Sequence, residues 1–155
     1  MANVAGMCNS FKSEILRACH MFSPGVATTT RTLSSFDTMY LALYLSSATI
    51  TFSTYTSYTA TGELIGTGYT AAGKPMLSTI VSTNGTSSFW TASSNVTWTT
   101  LTVSSAIDCA GMYNNSLTNK NSVAVFTFSA QTVTAADFTL TMPTNDGATA
   151  LIRIV

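Results

Sequence analysis

Charged side chains are scarce in this chain. Its 155 residues include six Lys and Arg and six Asp and Glu, which make up 8% of the sequence and give a net charge of zero. An average soluble protein has about a quarter of its residues charged. Because phosphate contacts supply most of the affinity for nucleic acids, a nucleic-acid binder concentrates basic residues, whereas these six are scattered. The composition therefore predicts no nucleic-acid partner, and it excludes a coiled coil or a mostly helical protein.

Paired cysteines and long apolar runs are also missing. Cys8, Cys19 and Cys109 form no CxxC pair, and their odd number predicts folding in a reducing compartment without a disulfide framework. The N-terminus has no basic segment followed by an apolar one, so we expect no signal peptide. The longest apolar run, around Met39 to Leu45, is too short for a transmembrane helix. We therefore expect no membrane partner.

Hydroxyl side chains replace the missing charges, with 29 Thr and 20 Ser. Thr is β-branched and favours strands. About seven or eight strand-like segments alternate with turn signals, a spacing typical of sandwiches and barrels. The sequence therefore predicts a mainly β fold, an antiparallel β-sandwich or barrel-like (jelly-roll-like) domain with one N-terminal helix. We expect a single domain over residues 1–155, with residues 1–12 as an extended N-terminal arm.

Helical periodicity is clear near the N-terminus. The spacing predicts a helix from Ser10 to Met21 that Ser10 caps and that ends before Pro24, with Glu14 on its polar face. The apolar residues that recur at this spacing, in the predicted helix and beside it, are Met7, Phe11, Ile15, Cys19 (or Ala18) and Phe22.

The strands are predicted from alternation and turn residues. Asp37 to Ser46 is apolar on both faces and reads as a central strand, while residues 51–61 read as an exposed loop or edge strand. Glycines in residues 62–75 mark turns, and Asn84-Gly85 marks a tight hairpin. Further strands are predicted at Met76–Ser82, one or two within 89–103, Asp108–Tyr113, Ser122–Phe128, Phe138–Met142 and Ala150–Val155.

Residue types with catalytic or metal-binding chemistry are few. His20 is the single histidine, and its neighbour Cys19 points about 100° away on a helix, so the two rarely chelate one ion. A position near a helix C-terminus, where the dipole favours a cation, explains His20 better. The six acids show no recognisable catalytic pair. The sequence predicts no enzyme, no catalytic residue, no metal and no cofactor.

Two further patterns have a structural and a functional interpretation. Gly66, Gly68 and Gly73 resemble a truncated phosphate-binding loop, but Lys74 is followed by Pro75 and a strand-like run, which favours a structural turn. Tyr and Trp residues are typical of core packing or of a sugar- or RNA-stacking face. These are Tyr40, Tyr44, Tyr55, Tyr58, Tyr69, Trp90 and Trp98, together with Phe89.

An ordered set of segments resembles a family of small structural proteins of tailed bacteriophages. The set comprises FKSEILRACHMF, MYLALYLSSATI, YTATGELIGTGYTAAGKPM, MYNNS, NKNSVAVFTFS, FTLTMP and ALIRIV, and it runs over about residues 11–155. Its most specific part is GTGYTAAG. Two departures are Met21, which stands where the family has an acid after the histidine, and a local insertion over residues 23–35.

This resemblance implies a virion protein that is made in the host cytoplasm, and specifically a capsid decoration (cement) protein. Such a protein binds the outer surface of the major capsid lattice and bridges capsomers, with neighbouring copies of itself as further partners in a homo-oligomer, a dimer or trimer. We expect Met7, Phe11, Tyr55 and Tyr58 to contribute to its interface, with packing of Met7 and Phe11 on the chain's own sheet as the alternative. Other possible functions are a tail, neck or fibre-associated subunit, a receptor- or carbohydrate-binding module and, third, a cell-wall hydrolase.

Overall fold

The structure, a computed structural model, describes residues 2–16, 20, 22, 37–77, 81–84 and 87–155. Over these residues the strands pair antiparallel, and the one helix lies near the N-terminus. This confirms the predicted mainly β, sandwich-like fold with one N-terminal helix. The elements are β1 (Gly6–Met7), α1 (Asn9–Leu16), β2 (Met39–Leu45), β3 (Lys74–Pro75), β4 (Ser82–Thr83), β5 (Ser88–Trp90), β6 (Val96–Leu101), β7 (Ile107–Asn114), β8 (Ser122–Gln131), β9 (Ala136–Leu140) and β10 (Ile152–Ile154).

The main sheet has the strand order β1-β8-β7-β2-β3. Leu41 on β2 lies opposite Met112 on β7, and Leu43 lies opposite Ala110. Both faces of β2 are buried, as its apolar character on both sides predicted. The sheet is therefore covered on each side, by different parts of the chain.

The fold also contains two smaller sheets, one of which packs against a face of the main sheet through aromatic side chains. These sheets have the orders β10-β5-β4 and β6-β9. The ring of Phe128 on β8 lies 5.5 Å from that of Phe138 on β9, which in turn lies 6.1 Å from Trp98 on β6. Trp98 and Trp90 are both buried. Large aromatic side chains thus join the two layers of the sandwich.

The other face is covered by the long connection between β2 and β3. Residues 51–61 of this connection were predicted to be an exposed loop or edge strand; they form a loop, but the predicted exposure is wrong at Tyr55, which is buried. Its ring lies over Gly111 of β7, where an added Cβ would stand 2.7 Å from the Tyr55 hydroxyl. The absence of a side chain at Gly111 makes room for the tyrosine, so a residue in a hydroxyl-rich loop enters the core.

The N-terminal residues pack on the fold instead of extending from it. β1 pairs with β8, Val4 forms a bridge with Thr51, and the Asn3 amide donates to Asp108 at 2.6 Å. The predicted extended arm over residues 1–12 is therefore wrong for the part that the structure describes. The helix begins at Asn9 and is followed to Leu16, and residues 17–19 and 21 of the predicted helix lie outside the described residues. No helix in the described ranges has the length and apolar character needed to cross a membrane.

The region between β3 and β5 differs most from the prediction. A single strand was predicted from Met76 to Ser82, but β3 ends at Pro75 and β4 begins at Ser82, while residues 78–80 lie outside the described range. The Met76 backbone N–H still donates to the Met39 carbonyl. β3 and the residue that follows it therefore form a short edge strand of the main sheet. At the hairpin predicted at Asn84-Gly85, β4 pairs antiparallel with β5 so that Thr83 lies opposite Ser88, and Gly85 itself lies outside the described residues.

Candidate interaction surface

The four predicted contact residues do not form a surface patch. Phe11 and Tyr55 are 0% and 4% exposed, so the expectation that they contact a partner is corrected by their burial in this chain's own core. Met7 is half-buried and packs against that core. Tyr58 is half-buried, and Lys120 Nζ lies 5.0 Å from the centre of its ring. For Met7 and Phe11, the alternative of packing on the chain's own sheet describes their positions.

The aromatic residues pack mainly inside the protein. Trp90, Trp98, Tyr44 and Phe89 are buried with Tyr55, and Tyr58 and Tyr69 are half-buried beside the core. A stacking platform for sugar or RNA needs ring faces that are open to solvent. The core-packing interpretation therefore accounts for these side chains.

A buried carboxylate organises the turn segment that follows the tyrosine-rich loop. The hydroxyls of Tyr58 and Tyr69 each donate to Glu63 at 2.6 Å, and the backbone N–H of Ala72 donates at 2.7 Å. Glu63 is 6% exposed. Burial, followed by the hydrogen bond to the Glu63 carboxylate, raises the pKa of Tyr58 to about 12, and the same causes raise the pKa of Tyr69. The carboxylate is thus stabilised by neutral donors.

Sequence reasoning missed this cluster. Glu63 was considered only as one of six scattered acids, and Tyr58 and Tyr69 only as aromatic residues. The available signal was their local spacing, since all three donors lie within nine residues of Glu63 along the chain. A single acid in an apolar, glycine-rich segment also indicates a buried carboxylate that needs nearby donors.

The glycines of this segment allow close packing against strands. A Cβ at Gly73, whose φ is +76°, would lie 1.8 Å from the Leu41 carbonyl oxygen of β2. A Cβ at Gly66 would lie 2.3 Å from the Thr102 carbonyl oxygen. These distances are far inside van der Waals contact, so glycine is required at both positions. They support the structural interpretation of the glycine pattern over the phosphate-binding one.

Several apolar side chains project into solvent from this neutral scaffold. Ile65, in the turn stabilised by Glu63, is 90% exposed. Leu77, after β3, is 61% exposed, and Ile154 of β10 and the neighbouring Val155 are also exposed. The positions belong to different elements of the fold. Together with the less exposed Val4 and Val81, they are exposed apolar groups with which the described surface can contact another protein.

A second buried polar cluster ties the N-terminal helix to the main sheet. Glu14 Oε2 lies 2.7 Å from His20 Nε2, and the Asn121 amide donates to Glu14 Oε1 at 2.6 Å. Asn114 Nδ2 lies 3.1 Å from His20 Nδ1 and 2.6 Å from Asp37 Oδ2. Glu14 is 8% exposed, so its predicted place on the polar face of the helix is wrong. Both ring nitrogens of His20 have partners within the chain.

The cysteines and acids in the described part of the chain show two further features. Cys8 and Cys109 are buried free thiols, and burial raises the pKa of Cys109 to about 12. Cys19 lies outside the described residues. Where the structure describes the chain, no three His, Cys, Asp or Glu side chains are grouped so as to hold a metal ion.

No protein-family model, no curated protein and no solved structure matches this chain.

Proposed function

We propose that this protein is a structural virion protein, and most specifically a capsid decoration protein that binds the outer surface of the major capsid lattice and bridges capsomers. Its partners are the major capsid protein and neighbouring copies of itself. The resemblance of its ordered segments to small phage structural proteins supports this function. The observation that carries the proposal is the set of projecting apolar side chains on a low-charge β scaffold.

The positions of these side chains suit a protein that contacts more than one neighbour. Ile65 projects from the turn stabilised by Glu63, whereas Ile154 belongs to β10 of a different sheet. Burial of apolar area stabilises an interface by about 25 cal/mol per Å². Few charged groups lose their hydration in such a contact, because only 8% of the residues are charged. When two contacts form on one particle, the second becomes effectively intramolecular, so modest affinities combine.

The number of copies per particle tests this proposal. Purified virions are analysed by quantitative mass spectrometry, with the major capsid protein as the internal standard. We expect a simple fractional ratio to the capsid protein, corresponding to hundreds of copies per particle. A few copies would reject the decoration role and indicate a tail or neck subunit. Absence from the particles would reject a virion function altogether.

A further inference from the structure

We infer that His20 and Asn114 form an acid-sensitive latch, in which a neutral imidazole holds the N-terminal helix on the main sheet and protonation of the imidazole releases it. This inference concerns the fold and is independent of the proposed partner. Asn114 is fully buried, and its Nδ2 lies 3.1 Å from His20 Nδ1 and 2.6 Å from Asp37 Oδ2. One amide group of β7 therefore binds both His20, which follows α1, and Asp37, which precedes β2.

The orientation of the Asn114 amide follows from its partners. The Ser116 backbone N–H can only donate, and it donates to Asn114 Oδ1 at 3.0 Å. The Asp37 carboxylate accepts, so the group 2.6 Å from it is the NH2. The reverse orientation would place two oxygens together at Asp37 and two donors together at Ser116. The NH2 group of Asn114 therefore also faces His20.

This orientation determines where the proton of His20 lies. One NH2 hydrogen of Asn114 binds Asp37 and the other points to His20 Nδ1, which must offer a lone pair and so has no proton of its own. Nε2 then carries the proton and donates to Glu14 Oε2 at 2.7 Å. The other oxygen of Glu14 accepts from Asn121 Nδ2 at 2.6 Å. The chain of hydrogen bonds from Asp37 to Asn121 is thus complete with a neutral imidazole at its centre.

Protonation of His20 places a hydrogen on Nδ1, directly against the NH2 group of Asn114. The His20 side chain is 1% exposed, so water does not accept that hydrogen while the helix is docked. Glu14 attracts the added charge, but it already accepts the Nε2 proton and offers nothing to Nδ1. Buried donors without acceptors are costly. Both groups regain acceptors when His20 moves into water, and α1, which is tied to His20 through Glu14, is released with it.

The ionisable groups around the latch are few. Among the described residues, Glu14 binds His20 directly and Asp37 binds it through Asn114. Burial raises the pKa of the nearby Cys8 thiol, which stays neutral, and Lys12 is exposed and reaches only Asn9. The other described side chains in contact with His20 or Glu14 are uncharged, and they are Phe11, Phe22, Asn114 and Asn121. Because imidazole is the side chain that ordinarily titrates between pH 5 and 8, a transition of α1 in that range reports on His20.

Hydrogen exchange of the α1 amides at pH 7.5 and pH 5.5, corrected for the intrinsic pH dependence of exchange, tests the latch. A released imidazole titrates near its ordinary pKa of about 6.5, so the open state gains about tenfold in population over this interval. We expect the protection of α1 in the wild type to fall by about that factor, while β2 and β7 keep theirs. His20→Gln is the matched control, because its NH2 group can still donate to Glu14 but does not titrate. Protection of α1 in this variant should be the same at both pH values.

The 15N chemical shifts of the imidazole give a second, direct readout in the wild type. At pH 7.5 they should show a protonated Nε2 and an unprotonated Nδ1. A doubly protonated ring at that pH would overturn the inference, because His20 and Glu14 would then form an ion pair that acid does not open. Unchanged protection of α1 at pH 5.5, or an equal loss in His20→Gln and wild type, would overturn it as well. Both wild-type measurements decide the question even if His20→Gln does not fold.

Discussion

Glu63 and Glu14 are both buried carboxylates, but they are stabilised over very different distances along the chain. The three donors to Glu63 come from Tyr58, Tyr69 and Ala72, all within nine residues of it. Glu14 contacts His20, six residues away, and accepts a hydrogen bond from Asn121, which is 107 residues away. The first cluster shapes one turn segment, whereas the second joins the N-terminal helix to the start of β8.

This difference shows two uses of a buried acid in a protein with few charges. Around Glu63, local donors define the turn that presents Ile65, so the carboxylate determines the shape of a surface feature. Around Glu14, the contact joins residues that are far apart in the chain. The entropic cost of closing that long loop is offset mainly by the neighbouring β1–β8 pairing. Loss of Glu63 should therefore disrupt structure inside the fold, and loss of the Glu14 contacts should mainly release the helix.

Glu63→Ala should have the largest effect of the substitutions considered. It removes the acceptor for the Tyr69 hydroxyl and the Ala72 N–H, and it leaves the half-buried Tyr58 hydroxyl to turn towards water. Each buried donor without a partner costs about 1–3 kcal/mol, so we expect the free energy of unfolding to fall by about 2–4 kcal/mol. Urea denaturation measures this change.

Glu63→Gln is the matched control for that substitution. Its amide keeps one acceptor oxygen but places an NH2 group where the second tyrosine donates. The free energy of unfolding of Glu63→Gln should therefore lie between that of the wild type and that of Glu63→Ala. Equal stability of wild type and Glu63→Ala would show that the carboxylate does not hold the turn.

Asn121→Ala should have a smaller and more local effect. It removes the hydrogen bond to Glu14, while His20 remains as a partner at 2.7 Å. A hydrogen bond to a charged group contributes about 1.5–3 kcal/mol, and residual contact with His20 and water should place the loss near 1 kcal/mol. Hydrogen exchange should accelerate in α1, including the Lys12 amide that donates to Cys8, and remain unchanged in β2 and β7.

Lys12→Ala is the control on the same helix, because the Lys12 side chain is exposed and reaches only Asn9 at 3.4 Å. Exchange in α1 should stay close to that of wild type. If Asn121→Ala instead increased exchange throughout the main sheet, the Glu14 cluster would be part of the core rather than an attachment of the helix.

The strands were predictable where the local pattern is clear, as in β2, which is apolar on both faces, and in β9, where apolar residues alternate with threonine. Even so, β9 begins and ends two residues before the predicted Phe138–Met142. The prediction of turns at Gly66 and Gly73 also followed from residue type alone, because close backbone contact requires glycine. The burial of Tyr55 was not predictable from its own segment. It depends on the absence of a side chain at Gly111, which lies more than fifty positions away in the chain and packs against the Tyr55 ring. The sequence pattern describes what a segment prefers locally, and it does not show which strand lies opposite.

The contact residues were mispredicted for the same physical reason. Tyr55 stands among hydroxyl groups in the sequence, which suggested exposure, whereas Phe11 belongs to the apolar face of the predicted helix, which fits a partner or the chain's own sheet. Long-range packing places both in the core. Ile65 has the opposite character, because it stands beside the apolar Leu64 and yet is the exposed member of the pair. Which of two adjacent apolar residues faces solvent is decided by the hydrogen bonds that flank them, here those of Leu64 and Thr67.

Alkaline pH should separate the two clusters, because the Glu63 cluster contains tyrosine hydroxyls and the Glu14 cluster is built from His20, Asn121 and Asn114. In the unfolded chain the tyrosine pKa is about 10, whereas in the folded protein burial and Glu63 raise the pKa of Tyr58 to about 12 and also raise the pKa of Tyr69. Above about pH 10 the unfolded state thus binds fewer protons than the folded state, so stability falls with rising pH. Below that pH the contribution of these hydroxyls is complete.

Tyr58→Phe removes one of the titrating groups. The decline in stability between about pH 10 and 12 should therefore be shallower, because up to one proton fewer is released on unfolding. Asn121→Ala leaves both tyrosines beside Glu63 in place and should keep the wild-type slope, although its stability is lower at every pH. Urea denaturation at a series of pH values, with tyrosinate absorbance as a second readout, measures both slopes. An unchanged slope in Tyr58→Phe, or a reduced one in Asn121→Ala, would contradict a contribution of Tyr58 to the alkaline sensitivity, to which the buried Tyr44, Tyr55 and Tyr113 also contribute through their raised pKa values. The matched pair of slopes thus tests whether the two buried acids act independently, as their separate sets of donors indicate.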